Sequence, residues 1–551
     1  MNNRRPATES GQIDVDLAGS VSSRAAPPVL SRRMPAGPST FLVTADDLGP
    51  AIDALTDRGF RFDEPSRRTT TVLDTFDGRF HRAGLRLTLH ESTLRELVLS
   101  GEGVVAARVE PTVIPSFASD LPAGPFRSRI SALIDVRVLL PQLRVGSTTT
   151  DAVCRDDDGL GVATIVVHEH IAIDREPAVA LIGPMPRAII EVHDIVGARK
   201  QGRRAADALD RLGLDAVDGD VLAYIARAAG IDLGGFEASA TVPLDPDMPA
   251  VEGVRDVLAN LADTIEANWQ GTIDHLDPEF LHDLRIAVRR TRAVITQTKN
   301  ALPADVVGEA SEGFAWLGNL TGPARDLDVY LIEWNDYVRP FGPAATAALL
   351  PVRALLERRQ AAAHDALDGA MSSTAASALM HMWRERLGGI AAHAQPGAHA
   401  ARPLGQVVRR RITRAQAKLI DRGRLITPET PAEQVHDLRK DAKKLRYLLE
   451  CFGSLLADGP RKQFVKRLKA LQDNLGEHQD AEVHVALIRE IAADIHDGAA
   501  STDTLLALGQ LTERLEQIRI AARAEFAEQF AAYDTQTTEH DFVAMLDFLD
   551  S

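Results

Sequence analysis

The chain has 551 residues and a formal net charge of −16 at neutral pH, which is enough length for about three to four domain-sized units. Two cysteines, Cys154 and Cys451, exclude a disulfide framework and cannot form a zinc site by themselves, which fits a reducing cytoplasm. We find no signal-peptide pattern and no window with the roughly 20 apolar residues of a membrane span. We therefore expect a cytoplasmic protein without a membrane partner, whose acidity argues against a general nucleic-acid coat.

The first part of the chain mixes strand and helix patterns. Residues 1–38 are rich in Ser, Pro, Ala and Arg without periodicity, which predicts a disordered tail. Within 39–233, "TTTVLDTFDG", "LRLTLHES" and "ATIVVHEHIAID" alternate or are β-branched as strands are, whereas "ADDLGPAIDALTDRGF" and "ARKQGRRAADALDRLG" have helical spacing. Residues 234–250 are punctuated by Gly and Pro, which is typical of a linker. The sequence therefore predicts an α+β domain, a linker and then a further domain.

From residue 251 to the C-terminus nearly every segment has helical period, and the sequence repeats itself. The stretch "HDLRIAVRRTR" at 282 recurs 154 residues later as "HDLRKDAKKLR" at 436. The same shift places "NLTGPARDLDV" at 319 on "DNLGEHQDAEV" at 473, with Gly322 on Gly476 and Asp326 on Asp480. Residues 251–551 are therefore a tandem duplication, with repeats of about 251–400 and 401–551, and two copies are too few for a solenoid.

Each copy of the repeated stretch forms a cationic stripe beside an apolar stripe when it is placed on a helix. One basic helix is usually only a solvated face, and its like charges repel, but two copies in matching register favour a surface that binds anions. A third basic stretch near residue 410 adds charge. The candidate residues are His282, Arg285, Arg289, Arg290, Arg292, Arg410, Arg411, Arg414, His436, Arg439, Lys440, Lys443, Lys444 and Arg446.

The chemistry of these residues points to phosphate groups rather than to bases. Arg and Lys bind phosphate oxygens through charge-assisted hydrogen bonds. Aromatic residues are scarce, and only Tyr447 lies among the basic positions, so base stacking is poorly supported. We expect a polyanion without bases and no sequence-specific nucleic acid as partner. The histidines, with an ordinary pKa, would strengthen binding below neutrality.

The two "HDLR" helices, each followed by a segment like "ARDLDV", resemble the CHAD domain, an all-helical domain named for its histidine. The resemblance covers about residues 251–551 and implies two pseudo-symmetric four-helix bundles that bind inorganic polyphosphate in a basic cleft. It also implies that the fourteen candidate residues line this cleft. A duplication with matching basic stripes can place both helices around a pseudo-two-fold axis, so we expect them to face one another, with Arg289 near Lys443. Asp326 and Asp480 are expected to hold structure, by capping or by pairing with arginines.

The region 39–233 resembles a CYTH domain, the triphosphate-tunnel fold, through "FLVTADDL", "LDTFDGRFHRAGLRLTLHE" and "IIEVHDI". This resemblance implies an antiparallel β-barrel with flanking helices. The family opens with two Glu and a Lys on one strand, where this chain has Ala36, Pro38 and Thr40. Phosphoryl transfer needs Mg²⁺ or Mn²⁺ held by hard carboxylates, so we expect a non-catalytic domain and no cofactor.

Three functions remain open at this point. The first is a polyphosphate-binding protein, associated with polyphosphate or its granules, whose CYTH-like domain is not catalytic. The alternative is an active metal-dependent triphosphatase or polyphosphatase of the CYTH type, using Mg²⁺ or Mn²⁺, with the helical domain as an accessory. The third is a structural helical protein with solvated arginines. His168 and His170 share one face of a strand, but no third metal ligand accompanies them, and an exposed strand face accounts for them better.

Overall fold

The computed structural model describes residues 39–92, 94–101, 104–174, 185–194, 199–237, 241–497 and 501–547. The predicted tail 1–38, with Ala36 and Pro38, lies outside these residues, as does part of the predicted linker. The chain divides into two compact units. The first unit extends to Gly235 without residues 136–138, and the second contains those three residues and the chain from Phe236 onward.

The first unit is built on one antiparallel sheet of ten strands. The strands are β1 (Ser39–Val43), β2 (Phe60–Phe62), β3 (Ser66–Asp74), β4 (Leu85–Glu91), β5 (Arg95–Gly101), β6 (Val104–Val109), β7 (Leu140–Arg155), β8 (Gly161–Ile173), β9 (Ala188–Asp194) and β10 (Asp215–Val217). Their hydrogen-bonded order is β10-β1-β9-β8-β7-β3-β4-β5-β6, and β2 pairs with β7. The predicted antiparallel architecture of this part is confirmed.

Five helices cover the sheet, each through an apolar face. They are α1 (Leu48–Thr56), α2 (Arg79–Arg82), α3 (Pro125–Ile134), α4 (Arg199–Arg211) and α5 (Val221–Ala228). Leu55 of α1 and Leu209 of α4 are buried against β1, β8 and β9, whereas Phe80 of α2 and Ile130 of α3 are buried against β4 and β5. Ile225 of α5 packs on β3 and β7. Burial of these apolar faces is the main stabilisation of the unit.

The second unit is all-helical, as predicted. Its helices are α6 (Ala250–Ile273), α7 (Pro278–Thr298), α8 (Ala304–Leu320), α9 (Gly322–Val338), α10 (Gly342–Ala348), α11 (Leu350–Met371), α12 (Thr374–Gly389), α13 (Leu404–Gly423), α14 (Ala432–Cys451), α15 (Asp458–Asp497), α16 (Thr502–Tyr533) and α17 (Gln536–Leu546). The start of α7 is well capped. The Asp277 side chain accepts hydrogen bonds from the amides of Glu279 and Phe280, and Pro278 has no amide hydrogen that would need an acceptor. No described helix is apolar over a length that would cross a bilayer.

The sequence duplication is visible in the helices. α6 and α13 begin 154 residues apart, and so do α7 and α14. The copies differ at the next step, because α8 and α9 are separate helices whereas α15 continues unbroken through the corresponding residues. Pro323 explains the break, since it lacks the amide that a continuous helix would use, and its counterpart is Glu477.

Contacts between equivalent positions show that a pseudo-two-fold axis relates the repeats. Pro249 and Pro403, 154 residues apart, pair with each other as an isolated β-bridge. The flanking hydrogen bonds are matched, with the Ala250 amide donating to the Arg402 carbonyl at 2.8 Å and the Leu404 amide donating to the Met248 carbonyl at 2.9 Å. The rings of Tyr330 and His484, also counterparts, lie 4.5 Å apart. A residue that contacts its own counterpart must lie at the axis.

Two apolar cores lie along this unit. The larger core takes residues from both repeats, mainly on α6, α7, α8, α12, α13, α14 and the first half of α15. The smaller core joins α9, α11, α16 and the second half of α15. Along α9, Ala324 belongs to the larger core and Tyr330 to the smaller one, and Asp326 lies between them. Polar residues at this change of core are therefore held from two sides.

We predict that Gly271→Ala destabilises the second unit. A Cβ on Gly271 would collide with the buried ring of Phe280, and overpacking of this kind costs about 1–3 kcal/mol. Gly308→Ala is the control, because it lies in exposed helix with no atom near its Cβ, and it should stabilise by about 0.5–1 kcal/mol. Denaturant unfolding measures both changes. Equal stability of the two variants would contradict this account of the packing.

Candidate anion-binding site

Arg289 and Lys443, a further pair of counterparts, lie close together where α7 packs against α14. Burial, followed by repulsion from Arg439 and Arg289, lowers the pKa of Lys443 to about 8. Within the described part of the chain, neither Arg289 nor Lys443 forms an ion pair with a carboxylate. The expected facing arrangement of the duplicated helices is therefore confirmed, and its centre holds two cations that form no ion pair with a described carboxylate.

Two equivalent ion pairs flank this centre. Arg285 lies 3.6 Å from Asp326, and Arg439 lies 3.0 Å from Asp480. Both guanidinium groups are largely buried, at 8% and 14% exposure, whereas both carboxylates are exposed. Pairing between these residues confirms the structural role expected for the two aspartates. We call the site formed by Arg285, Arg289, Arg439 and Lys443 the axial cleft.

Arg285 is tied to the turn between α8 and α9. It donates to the Gly318 carbonyl at 3.4 Å and to the Thr321 hydroxyl at 3.3 Å. A Cβ on Gly322 would lie only 3.2 Å from the Arg285 guanidinium, so glycine leaves room for it. This close approach gives a physical reason for the glycine in the first repeat. A Cβ on its counterpart Gly476 would lie 3.6 Å from the Arg439 guanidinium.

Arg290 and Arg446 share one carboxylate and thereby connect the repeats. Each lies 2.6 Å from Glu450, and Arg446 also donates to Gln472 at 3.3 Å. These two predicted residues are therefore held by one carboxylate, which offsets one of their two positive charges. Arg292, by contrast, is exposed and forms no ion pair among the described residues.

The two histidines of the repeated stretch are partly buried beside the arginines. Burial, with Arg325 and Arg289, lowers the pKa of His282 to about 4. The expectation that His282 becomes charged just below neutrality is therefore wrong for the free protein, because it assumed an ordinary pKa. The Nδ1 atom of His436 is buried and has no hydrogen-bond partner in the described part.

The axial cleft has a positive local potential in a chain of net negative charge. Burial and then Arg289 also lower the pKa of Arg285, to about 10. His282 and Arg285 belong to the first repeat and Lys443 belongs to the second. In each of the three, burial and then neighbouring cations disfavour the charged form. A bound anion would relieve this repulsion, so the site is suited to multivalent anions.

An aromatic cluster that the sequence interpretation missed adjoins the cleft. Tyr337 donates to Glu333, and its hydroxyl lies 3.2 Å from Nδ1 of His484. Asp480, the partner of Arg439, influences the pKa values of Tyr337, His484 and Lys443 alike. The available signal was the spacing of Tyr330 and His484, since two bulky residues at equivalent positions can meet at a two-fold axis.

Four predicted residues belong to another surface, and Lys440, next to them on α14, has a carboxylate partner of its own. Lys440 pairs with Asp437 at 3.2 Å and Lys444 with Asp441 at 3.6 Å. At about 100° per residue, Asp441 points about 160° away from Arg439 around α14. The remaining three are Arg410, Arg411 and Arg414 on α13. The structure therefore divides the predicted set between the axial cleft and an outer flank of the second repeat.

The described residues of the first unit do not present the donor set that a divalent metal requires. Thr40, at a position where the CYTH family has a catalytic side chain, is buried and donates to the Gly219 carbonyl at 2.7 Å. Glu191 of the late acidic strand lies 3.3 Å from His168 and accepts from the Val221 amide at 2.7 Å. Among the described residues, no group of three or more His, Cys, Asp or Glu is arranged to hold a metal ion. The residues present therefore do not fit a Mg²⁺ or Mn²⁺ site.

The histidines of β8 have other roles. His168 is mostly buried and pairs with Glu191, so the prediction of an exposed strand face is wrong for it. His170 is exposed at a break in the ladder, with a φ of 50° and Arg187 at 3.4 Å. The two side chains do not converge on one ligand in the way that the strand alternation suggested.

We predict that Glu450→Gln lowers the free energy of unfolding by about 1–3 kcal/mol, because it leaves Arg290 and Arg446 half-buried without their shared carboxylate. Glu357→Gln, which breaks an exposed pair with Arg353, should change it by less than about 1 kcal/mol. Chemical denaturation compares the two. A Glu450 variant as stable as the control would show that this pair does not hold the repeats together.

Comparison with known proteins supports the assignment of the second unit. The family profile described as CHAD domain matches residues 256–489. Among solved structures, the CHAD domain from the plant Ricinus communis is 25% identical, with 56% of this chain and 96% of that one covered and a TM-score of 0.43. PptA from Streptomyces chartreusis is 19% identical, with 51% and 99% covered and a TM-score of 0.41.

A protein from Hippeastrum, whose structure is described as revealing a dominant triphosphatase activity, is 14% identical over 36% of this chain and 98% of that one, with a TM-score of 0.26. No curated protein matches the chain. The matched residues 256–489 contain both "HDLR" helices, the axial cleft and the contact between Tyr330 and His484. The chain therefore carries a CHAD domain at residues 256–489.

Proposed function

We propose that this protein binds inorganic polyphosphate in the axial cleft of its helical unit and associates with polyphosphate or its granules. The observation that carries the proposal is the proximity of Arg289 and Lys443 where α7 packs against α14, with no described carboxylate in an ion pair with either. Arg285 and Arg439 add guanidinium groups on either side. A chain of phosphates can engage all four at once, whereas orthophosphate engages one or two and loses the multivalent gain.

The cleft offers little for a base to stack on. Its cations come from α7 and α14, where Tyr447 is a single half-buried ring near Arg285, and the neighbouring Tyr330 and Tyr337 are already packed against each other and against His484. Stacking on free aromatic faces is what single-stranded nucleic-acid sites use. A polyanion whose oxygens alone are recognised therefore fits these residues better than a nucleic acid does.

We predict that the variant R289Q/K443Q weakens binding of long-chain polyphosphate by at least about a hundredfold in the full-length protein, because two charge-assisted contacts of about 1.5–3 kcal/mol each are lost. These residues are preferable to Arg285, whose loss would also disturb the α8–α9 turn. The control R339Q/R489Q removes the same charge from exposed pairs. Isothermal titration measures both, and full binding by R289Q/K443Q would contradict the proposal.

Salt should weaken this binding steeply. Each phosphate contact releases condensed counterions, so a cleft that neutralises several phosphates should lose about a thousandfold in affinity between 50 and 200 mM salt, by analogy with nucleic acids. The measurement is a salt series with long-chain polyphosphate, and duplex DNA in parallel should bind much more weakly. A salt-independent affinity, or equal affinity for DNA, would contradict an electrostatic cleft.

The pKa of Lys443 gives the binding a pH dependence. Polyphosphate favours the charged amine, so the contribution of Lys443 is complete well below its free pKa of about 8 and is lost as the pH rises through that value. We predict that affinity falls above pH 8 by up to about tenfold per pH unit. Lys443→Arg keeps its charge and should bind independently of pH over this range. An identical pH profile for both proteins would assign the effect elsewhere.

We also propose that the first unit is a CYTH-like domain without catalytic activity. Thr40 stands where the family places a catalytic side chain, and Glu191 is held by histidines and a backbone amide. The second candidate function, a Mg²⁺- or Mn²⁺-dependent triphosphatase with the helical unit as an accessory, would need carboxylates that are free to bind the metal.

We predict no release of phosphate from tripolyphosphate or ATP above background when the full-length protein is incubated with Mg²⁺ or Mn²⁺. The Glu191 carboxylate is already held by two histidines and the Val221 amide, so the metal would lack this ligand. If hydrolysis occurs, Glu191→Gln tests whether it arises in the first unit, because that carboxylate lies in the late acidic strand. Metal-dependent hydrolysis that the Glu191 variant abolishes would establish the second candidate function instead.

A further inference from the structure

The second repeat carries a cationic surface that lies apart from the axial cleft. It consists of Arg410, Arg411, Arg414, Lys418 and Arg422 on α13 and Lys444 on α14, and we call it the outer patch. Within the described residues, Arg410, Arg411 and Arg414 form no ion pair. These three arginines therefore contribute unneutralised positive charge to the protein surface.

A buried carboxylate fixes the remaining three cations of the outer patch. Asp441 is only 4% exposed and receives Arg422 at 2.7 Å, Lys418 at 2.9 Å and Lys444 at 3.6 Å. One negative charge cannot neutralise three positive ones, and all three cations remain more than 40% exposed. Asp441 thus orders a surface that keeps a net positive charge.

The arginines of the patch lie close to one another along α13 and influence each other electrostatically. Burial and then Arg414 and Arg410 lower the pKa of Arg411, and no cation of the axial cleft contributes. Partial desolvation and then Arg402, Arg410 and Arg411 lower the pKa of His399. The basic surface therefore continues from α13 to the residues that precede it.

The first repeat lacks most of this surface, and of the six patch residues only Lys444 has a cationic counterpart, Arg290. The counterparts of Arg410, Arg411 and Arg414 are Asp256, Val257 and Asn260, and those of Lys418 and Arg422 are Thr264 and Asn268. Ala287 replaces Asp441. Because the duplication does not account for these residues, the outer patch is a property of the second repeat alone, whereas the axial cleft needs both.

We propose that the outer patch is a second polyphosphate-binding surface, which engages the part of a long chain that extends beyond the axial cleft. This inference rests on the proposed function of the cleft. A chain held in the cleft presents its remaining phosphates to the patch at high effective concentration, so affinity increases with chain length without any new contact in the cleft. The patch lacks aromatic residues, which disfavours single-stranded nucleic acid as its ligand.

The test compares full-length protein with the variant R410Q/R411Q/R414Q. Long-chain polyphosphate should bind about tenfold more weakly, with a salt slope smaller by about two to three, because three contacts are lost. Tripolyphosphate, which is confined to the cleft, should bind unchanged. The control R339Q/R353Q/R489Q removes three exposed arginines from other helices and should leave both affinities unchanged. Thermal unfolding confirms that each variant is folded.

Unchanged affinity for long chains would overturn the inference, and so would an equal loss for tripolyphosphate, which would place these arginines in the cleft site. Weaker binding of single-stranded RNA with unchanged polyphosphate affinity would also overturn it and assign the patch to nucleic acid. The R289Q/K443Q variant separates the two hypotheses. If that variant loses tripolyphosphate and the triple variant changes nothing, only the outer patch is wrong; if R289Q/K443Q keeps full affinity for every chain, the cleft itself is wrong.

Discussion

The close approach of Arg289 and Lys443 is the interaction on which the function proposed for the helical unit depends. It is unfavourable by itself, because the exposed Arg289 lies near the half-buried Lys443, whose charged state is disfavoured by burial and then by Arg439 and Arg289. The fold maintains it because the larger apolar core fixes both helices that carry it. Energy stored as repulsion in the free protein is recovered when an anion binds, so the arrangement favours ligands with several negative charges.

Carboxylates determine which cations remain available. Asp326 and Asp480 hold Arg285 and Arg439, and Glu450 neutralises Arg290 and Arg446. A basic helix therefore contains residues of different kinds, some that fix the helices to one another and some that keep an unused charge. The distinction lies in the tertiary contacts of each side chain, and the helical stripe alone does not contain it.

Because the helical stripe can be read from the sequence and the tertiary contacts cannot, the sequence predicted only part of the site. The repeat spacing of 154 residues was sufficient to predict the pseudo-symmetry and the facing of Arg289 and Lys443, because equivalent residues on duplicated helices can meet only at the axis. It could not place Arg410 or Lys444, since their surroundings depend on how α13 packs beside α14 and on the buried Asp441. The pKa of His282 was missed for the same reason, because burial and Arg325 come from the folded state.

The two repeats have diverged in a way that preserves the axis. Pro323 separates α8 from α9 in one copy whereas α15 is continuous in the other, yet Asp326 and Asp480 still pair with equivalent arginines. Changes away from the axis, such as Asp441 in place of Ala287, affect one copy only. Residues at the axis are under a stricter constraint, because each one packs against its own counterpart and a change in either copy alters the contact of both. The axial cleft is therefore the part of the molecule that neither repeat can form alone, and the outer flanks are where one copy can acquire a surface of its own.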